Sequence, residues 1–355
     1  MFSFKSLLPG GKKFAGVDIG SNRIKLVELK DTSEGPALQR FAQVTLEAGV
    51  IENGLIKDQD ALVRKIKEIF KVAGYGGKNV ITALSGHVVV TKKALFRKME
   101  EGELRDFIVD EAGEYLPFDD IRDVNFDFHI CGQGDTDPGQ MEVIIAAAKK
   151  EVTQSYVQAV EKAGARATVL DVDSFALQTA YEENYDFDAD DNVALVNIGS
   201  SLTTINIVRD EESLLTRNIK SGGDAVTRAL QKKHGISFDE AEMIKIEGSA
   251  GDDDGGERIL DYLEPIFLEI GRSFDYFSST VGGSHLSRIL LSGGCAAIPG
   301  IADAMKDMFN CEVELFNPFK NIRYEKQLFS TSYIREIAPV AAVGVGLALR
   351  SGEDA

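Results

Sequence analysis

The stretch Gly16-Val17-Asp18-Ile19-Gly20-Ser21-Asn22-Arg23-Ile24-Lys25-Leu26-Val27-Glu28-Leu29 decides the fold of this 355-residue chain. It reads as strand, tight turn, strand. Phe14 to Ile19 is apolar except for Asp18. Gly20, Ser21 and Asn22 form the turn, because Gly and Asn tolerate the backbone angles that a tight hairpin needs. The second strand returns through Ile24, Leu26 and Val27 and carries Lys25. A glycine turn with small polar residues aims several backbone N–H groups at one point, which suits phosphate. Lys25 adds a point charge there, and Asp18 can hold a hydrated divalent cation. A plain hairpin with a buried Asp would give the same local pattern.

Working outward, the same idea recurs at Val193-Ala194-Leu195-Val196-Asn197-Ile198-Gly199-Ser200-Ser201-Leu202-Thr203-Thr204-Ile205-Asn206-Ile207-Val208. An apolar strand again ends in a small-residue turn and a β-branched strand returns. Two such hairpins, widely spaced, predict a duplicated α/β architecture with a phosphate gripped between two lobes. A third glycine turn, Ser292-Gly293-Gly294-Cys295, follows the strand Ile289-Leu290-Leu291. A helix follows it from Pro299, with Ile301, Met305, Met308 and Phe309 on one face.

Composition narrows the function. The formal net charge is −18, from 57 acidic and 39 basic residues. Nucleic-acid binding needs a basic face, so this balance argues against it, and it disfavours direct adhesion to anionic lipid. No apolar run approaches the ~20 residues that span a bilayer, since Ala338 to Leu349 is apolar but short. Met1 to Lys13 has only Leu7-Leu8-Pro9 as an apolar patch, and no secretory signal is read there. Cys131, Cys295 and Cys311 are odd in number and far apart, which fits a reduced cytosolic protein.

Between the hairpins, Asp60 to Ala73 reads as an amphipathic helix stopped by Gly74. Asn79 to Phe96 is strand-rich. Leu104, Phe107, Ile108, Ala112 and Tyr115 mark a second helix ended by Pro117. Asp123 to Cys131 and Gln140 to Ala147 read as strands around a turn at Gly132 to Gly139. Val152, Tyr156, Ala159, Val160 and Ala163 mark a third helix. In the second half, Ser237 and Glu240 form a capping box, and Asp252-Asp253-Asp254-Gly255-Gly256 reads as a solvated loop. Leu260, Leu263, Phe267, Ile270, Phe274 and Phe277 form a heptad stripe more typical of core than of a coiled coil. Pro265 should kink or delay the start of that helix.

These motifs resemble the actin-like ATPase superfamily, which includes actin, sugar kinases, heat-shock chaperones and FtsA. Asp18, Gly20 and Lys25 match its first phosphate loop. Gly293-Gly294 with Pro299-Gly300-Ile301 matches the adenosine loop of actin. Glu242 and Lys245, three apart and so on one helix face, resemble the pair that touches ribose and adenine in FtsA and the chaperones. Ser221-Gly222-Gly223-Asp224 resembles the connecting loop before them, and Pro339 to Leu349 the closing helix. Within the superfamily the chain is most similar to the PilM family of type IV pilus assembly. The residues carrying that likeness are the first hairpin, Val169-Leu170-Asp171-Val172-Asp173-Ser174-Phe175-Ala176-Leu177, and Glu269-Ile270-Gly271-Arg272-Ser273-Phe274-Asp275-Tyr276-Phe277.

The resemblance implies an α/β, duplicated actin-like (ribonuclease H-like) two-lobed fold with an α+β insert subdomain in the first lobe. Residues 1–81 would open the first lobe, 82–166 form the insert, 167–192 return to the first lobe, 193–338 make the second lobe, and 339–355 the closing helix and tail. It implies ATP and Mg2+ as cofactors. The nucleotide would be held by Gly20, Ser21, Asn22 and Lys25; by Gly199, Ser200 and Ser201; by Gly222, Gly223, Glu242 and Lys245; and by Gly293, Gly294 and Cys295. Asp18 and Asn197 would act on the metal through water. Relatives usually carry Asp where this chain has Asn197, so hydrolysis is expected to be slow or absent, since an amide supplies no anionic charge. No catalytic residue is assigned. The implied partner is the cytoplasmic N-terminal segment of an inner-membrane pilus protein (PilN-like), with pilus motor ATPases as further partners, and the implied location is cytoplasmic, at the inner membrane only through partners. Two alternatives stand beside it. An FtsA-like division protein typically ends in an amphipathic membrane helix, whereas this chain ends in the acidic Leu349 to Ala355. A small-molecule kinase would need a carboxylate base, for which Asp171 or Asp173 could serve.

Overall fold

The computed structural model describes residues 14–350 except 112–114, 119, 134–138, 187, 189–190, 249–258 and 282–284. The Leu7–Pro9 patch, most of the Gly132–Gly139 turn, the Asp252–Gly256 loop and the acidic tail lie outside the described residues. β1 (Phe14–Ile19), β2 (Arg23–Thr32) and β3 (Gly35–Thr45) run as an antiparallel meander. The short hairpin β4 (Ile51–Glu52) and β5 (Leu55–Ile56) leads to α1 (Gln59–Ala73). The Asp58 side chain caps α1 by accepting from the Ala61 N–H, and left-handed Gly74 stops it. β6 (Asn79–Leu84) pairs parallel with β1.

β7 (Val89–Arg97), α2 (Glu101–Asp110), β8 (Val124–Gln133) and β9 (Gln140–Lys149) make the insert. Its sheet has the order β7-β9-β8. Leu104 and Ile108 of α2 pack on Phe96, Val143 and Ile145 in a core of its own. The chain then returns through α3 (Lys150–Lys162), β10 (Arg166–Val172), which pairs with β6, and α4 (Asp173–Asn184).

The second lobe repeats the plan. β11 (Val193–Ile198) and β12 (Thr203–Arg209) form the second hairpin, and β13 (Glu212–Ile219) extends it. α5 (Gly223–His234), α6 (Phe238–Glu247) and α7 (Glu264–Thr280) follow. β14 (Arg288–Ser292) pairs parallel with β11, as β6 does with β1. α8 (Ile301–Phe309), β15 (Glu312–Leu315), β16 (Arg323–Tyr324) and α9 (Thr331–Leu349) complete the chain. The sheets have the orders β10-β6-β1-β2-β3-β16 and β13-β12-β11-β14-β15. Ile266, Phe267, Ile270 and Phe277 of α7 are buried in the second-lobe core, so the heptad stripe is core.

Four boundaries differ from the sequence reading. α2 closes at Asp110, and Ala112 of the expected stretch lies outside the described residues. The insert's sheet ends at Lys149, because α3 buries Val152, Tyr156, Ala159 and Val160 in the first-lobe core beside α1. β16, from the second half of the chain, adds to the edge of the first sheet beside β3. α9 starts at Thr331, with Pro339 inside it. Ile334, Ile337, Ala338 and Ala341 bury its face between the lobes and hold it helical across the proline. With the added turns α9 is long and apolar enough to cross a membrane, and most of it is buried as a core helix. α9 also lies hard against α4. A Cβ on Gly346 would fall 1.6 Å from the Ala176 carbonyl oxygen, so only glycine permits that approach.

Candidate functional site

The two hairpin turns meet between the lobes. The Ser21 hydroxyl is 2.7 Å from Ser200 Oγ and 2.7 Å from Ser201 Oγ. Both turns close alike, the Gly20 N–H donating to the Arg23 carbonyl at 3.1 Å and the Gly199 N–H to the Leu202 carbonyl at 2.9 Å. The Asn22 carbonyl is taken by the Leu46 N–H.

Strand register sets the charges. Asp18 and Lys25 face each other across β1 and β2. Lys25 Nζ is 2.9 Å from Asp18 Oδ2, and the two side chains are 16% and 17% exposed. In the second lobe the matching register pair is Asn197 and Thr204.

The third turn lies tight on the second. Gly293 has φ +93°, and a Cβ there would lie 2.3 Å from the Ile198 carbonyl oxygen and 2.5 Å from Asn197 Oδ1. Its N–H donates to the Pro339 carbonyl at 2.9 Å, tying the turn to α9. Gly294 has nothing within 4 Å of where a Cβ would sit. Cys295 is buried with Sγ 3.8 Å from the Gly199 carbonyl oxygen. Burial pushes its thiol up to about 11, so it is a packed neutral group.

The start of α5 braces the second turn. The Gly223 N–H donates to the Gly199 carbonyl at 2.9 Å and the Asp224 N–H to the Ser200 carbonyl at 2.8 Å. A Cβ on Gly222 would lie 2.5 Å from the Gly199 carbonyl oxygen. Beside them Lys245, 5% exposed, bonds the Glu242 carboxylate, the Thr227 hydroxyl at 2.9 Å and the Gly223 carbonyl at 3.3 Å. The Ser237–Glu240 capping box that orients α6 is present. Asp224 Oδ1 is buried with no hydrogen-bond partner among the described residues, and burial raises its carboxyl from the usual range.

Asp173, which the sequence offers only as a base for the kinase alternative, also lies here. It begins α4 buried, with Oδ1 accepting the Ser174 N–H at 2.7 Å and Oδ2 the Thr204 hydroxyl at 3.2 Å. Burial pushes its carboxyl up to about 7. The two hydrogen bonds oppose the rise, and the charges of Asp18 and Asp171 add to it. Asp171 is engaged elsewhere. Arg350 holds it at 2.8 Å (Nε to Oδ2) and 3.2 Å (Nη2 to Oδ1). The sequence signal was a carboxylate opening a helix directly after a strand, in Asp171-Val172-Asp173-Ser174.

A family model described as Type IV pilus assembly protein PilM matches residues 16–352. Among solved structures, a chain of the "PilM-PilN type IV pilus biogenesis complex" superposes with a TM-score of 0.82 at 27% identity, covering 96% of this chain and 98% of that one. Ethanolamine utilization protein EutJ from Carboxydothermus hydrogenoformans superposes with a TM-score of 0.57 at 18% identity, over 98% of this chain and 92% of its own, which shows a shared fold. In sequence, cell division protein FtsA of Enterococcus faecalis is 20% identical over 349 residues, 86% of this chain and 78% of its own.

Proposed function

Because the chain belongs to the PilM family of type IV pilus assembly proteins, we propose that it is a nucleotide-binding assembly protein holding the cytoplasmic N-terminal segment of an inner-membrane pilus protein like PilN. The observation that carries this reading is the likeness to the PilM–PilN complex, over nearly all of both chains. The fold is the actin-like one, two lobes each built on a hairpin with a parallel neighbour. By this reading the protein works in the cytoplasm, under the inner membrane through its partner, with pilus motor ATPases as further candidate partners.

The residues between the lobes fit Mg-ATP. Three serine hydroxyls and the Lys25 ammonium converge as donors for a polyphosphate. Asp18 and Asn197 would hold the hydrated cation, which when bound supplies positive charge against the phosphates. The Glu242–Lys245 pair, with Gly222, Gly223, Gly293 and Gly294, would hold the adenosine. Phosphate oxygens would replace the contacts that Ser21 now makes to Ser200 and Ser201. With Asn197 neutral and Asp173 holding its proton to about pH 7, the site favours binding over turnover.

The partner segment would bind at the insert. β7 and β8 are the outer strands of its sheet, and an extended peptide can pair with such an edge and bury alternate side chains. Leu95 and Val109 are exposed apolar residues there. A peptide disordered when free loses affinity to its ordering, so binding should be moderate. Titrating a labelled N-terminal peptide of the partner, followed by hydrogen-exchange footprinting, tests this. Protection should fall on residues 89–149. Absence of binding would overturn the function, and protection confined to the second lobe would overturn the docking site.

A further inference from the structure

The insert is fastened to the second lobe beside the phosphate turn. The chain leaves β6 at Leu84 and enters β7 through Gly86, which has φ +74°. A Cβ on Gly86 would lie 2.4 Å from Leu202 Cδ1. Leu202 directly follows Ser200 and Ser201, and its carbonyl accepts the Gly199 N–H that closes the turn. A second tie runs from β13. Asn218 Nδ2 donates to the Gly86 carbonyl at 3.1 Å, and Asn218 Oδ1 lies 3.1 Å from the Thr204 hydroxyl, which also reaches Asp173. A third is ionic: Lys93 of β7 lies between Glu142 of the insert at 2.6 Å and Glu212 of β13 at 3.1 Å. The entry to the insert therefore touches the phosphate turn, and reaches through Asn218 the hydroxyl that serves the buried carboxylate.

We infer that the Gly86–Leu202–Asn218 joint couples the second phosphate turn to the insert. This rests on the nucleotide reading above and adds the route by which a ligand at the turn is felt at the partner surface. Packed contacts have few alternative arrangements. A phosphate that draws Ser200 and Ser201 moves Leu202, whose side chain lies against Gly86, so the movement presses on the backbone whose carbonyl Asn218 holds. Such coupling is reciprocal, so a disturbance at Gly86 must also alter phosphate binding.

The test uses the full chain and Mg-ATP. Affinity is measured by calorimetry for the wild type, Gly86→Ala and Asn218→Ala, with circular dichroism to check folding. Gly86→Ala pushes a methyl into Leu202, and Asn218→Ala removes the tie without adding bulk, so it serves if the first variant does not fold. Either should weaken Mg-ATP by at least about fivefold, a typical coupling factor. Hydrogen exchange over residues 86–97 should slow on adding Mg-ATP to the wild type, and this response should disappear in Asn218→Ala. Wild-type-like affinity together with a full exchange response in Asn218→Ala would overturn the joint alone. Failure of the wild type to bind Mg-ATP would overturn the nucleotide reading and the joint with it.

Discussion

Lys25→Ala tests the phosphate site at the cation of the first turn. Lys25 Nζ lies 2.9 Å from Asp18 Oδ2, and both side chains are largely enclosed. The substitution does two things to a bound triphosphate. It removes a charge-assisted hydrogen bond worth about 1.5–3 kcal/mol. It also strips Asp18 of its counter-ion, leaving a carboxylate that repels phosphate where no cation intervenes. The first effect alone should lower Mg-ATP affinity roughly tenfold to a hundredfold, and the second places the loss toward the upper end. The double variant Lys25→Ala with Asp18→Asn separates them, because it should recover part of the affinity when nucleotide is titrated without metal. Removing one partner of an enclosed pair leaves Asp18 uncompensated and lowers stability, by up to about 3–5 kcal/mol for a fully buried pair, so a melting curve accompanies each titration. Calorimetry with ATP, with and without Mg2+, measures all three chains. Equal affinity in wild type and Lys25→Ala would refute the assignment of the turn to phosphate.

Three further outcomes follow from the same geometry. Asn197→Asp should raise steady-state phosphate release toward the roughly hundredfold that a positioned carboxylate supplies, whereas a wild-type rate already on the order of 1–10 per second contradicts the reading of a binding site. Asp173 keeps its proton to about pH 7 when folded but releases it near 4 when unfolded, so this group makes the protein lose stability as pH rises from about 4 to 7; Asp173→Asn should flatten that slope and be the more stable chain above pH 7, and parallel melting curves against pH would exclude the buried acid. Gly346→Ala places a methyl 1.6 Å from the Ala176 carbonyl oxygen and should cost about 3 kcal/mol or more, so a thermal midpoint like that of the wild type would contradict the tight crossing of α4 and α9.

The parts legible in the sequence are those that local chemistry determines. The two hairpins announce themselves because apolar strands end in Gly-Ser turns, and pairing then forces Asp18 opposite Lys25. The capping box of α6 and the Gly74 stop of α1 are equally local. Pro265 delays α7 as expected, falling in its first turn where no N–H is needed. What stayed hidden depends on distant partners. The apolar face of α3 looks the same whichever core it covers, and only the pairing of β10 with β6 brings it beside α1. Pro339 satisfies the local rule for starting a helix, yet burial of its neighbours carries the helix back to Thr331, and its carbonyl is used by Gly293. Asp171 and Asp173 look alike in sequence. Arg350, 179 residues from Asp171, makes one a structural partner and leaves the other in the site.

The duplication explains why this site holds charge unevenly. In both lobes the penultimate residue of the first strand faces one residue of the returning strand across the turn. The first lobe fills that register with Asp18 and Lys25, the second with Asn197 and Thr204. The second lobe thus contributes neutral hydrogen-bonding groups where the first contributes an ion pair. Thr204 does not face Asn197 alone. Its hydroxyl lies 3.2 Å from Asp173 Oδ2 and 3.1 Å from Asn218 Oδ1, so the position that holds Lys in one lobe anchors a first-lobe acid and a tie to the insert in the other. An ammonium there would pair with Asp173 and lower its proton affinity. A hydroxyl leaves that acid governed by burial. The same exchange of charge for hydrogen bonds keeps Asp173 protonated near neutral pH, gives the second turn its connection to the insert, and weakens the case for rapid hydrolysis. On the nucleotide reading proposed above, a site built this way is suited to sensing whether nucleotide is bound more than to consuming it.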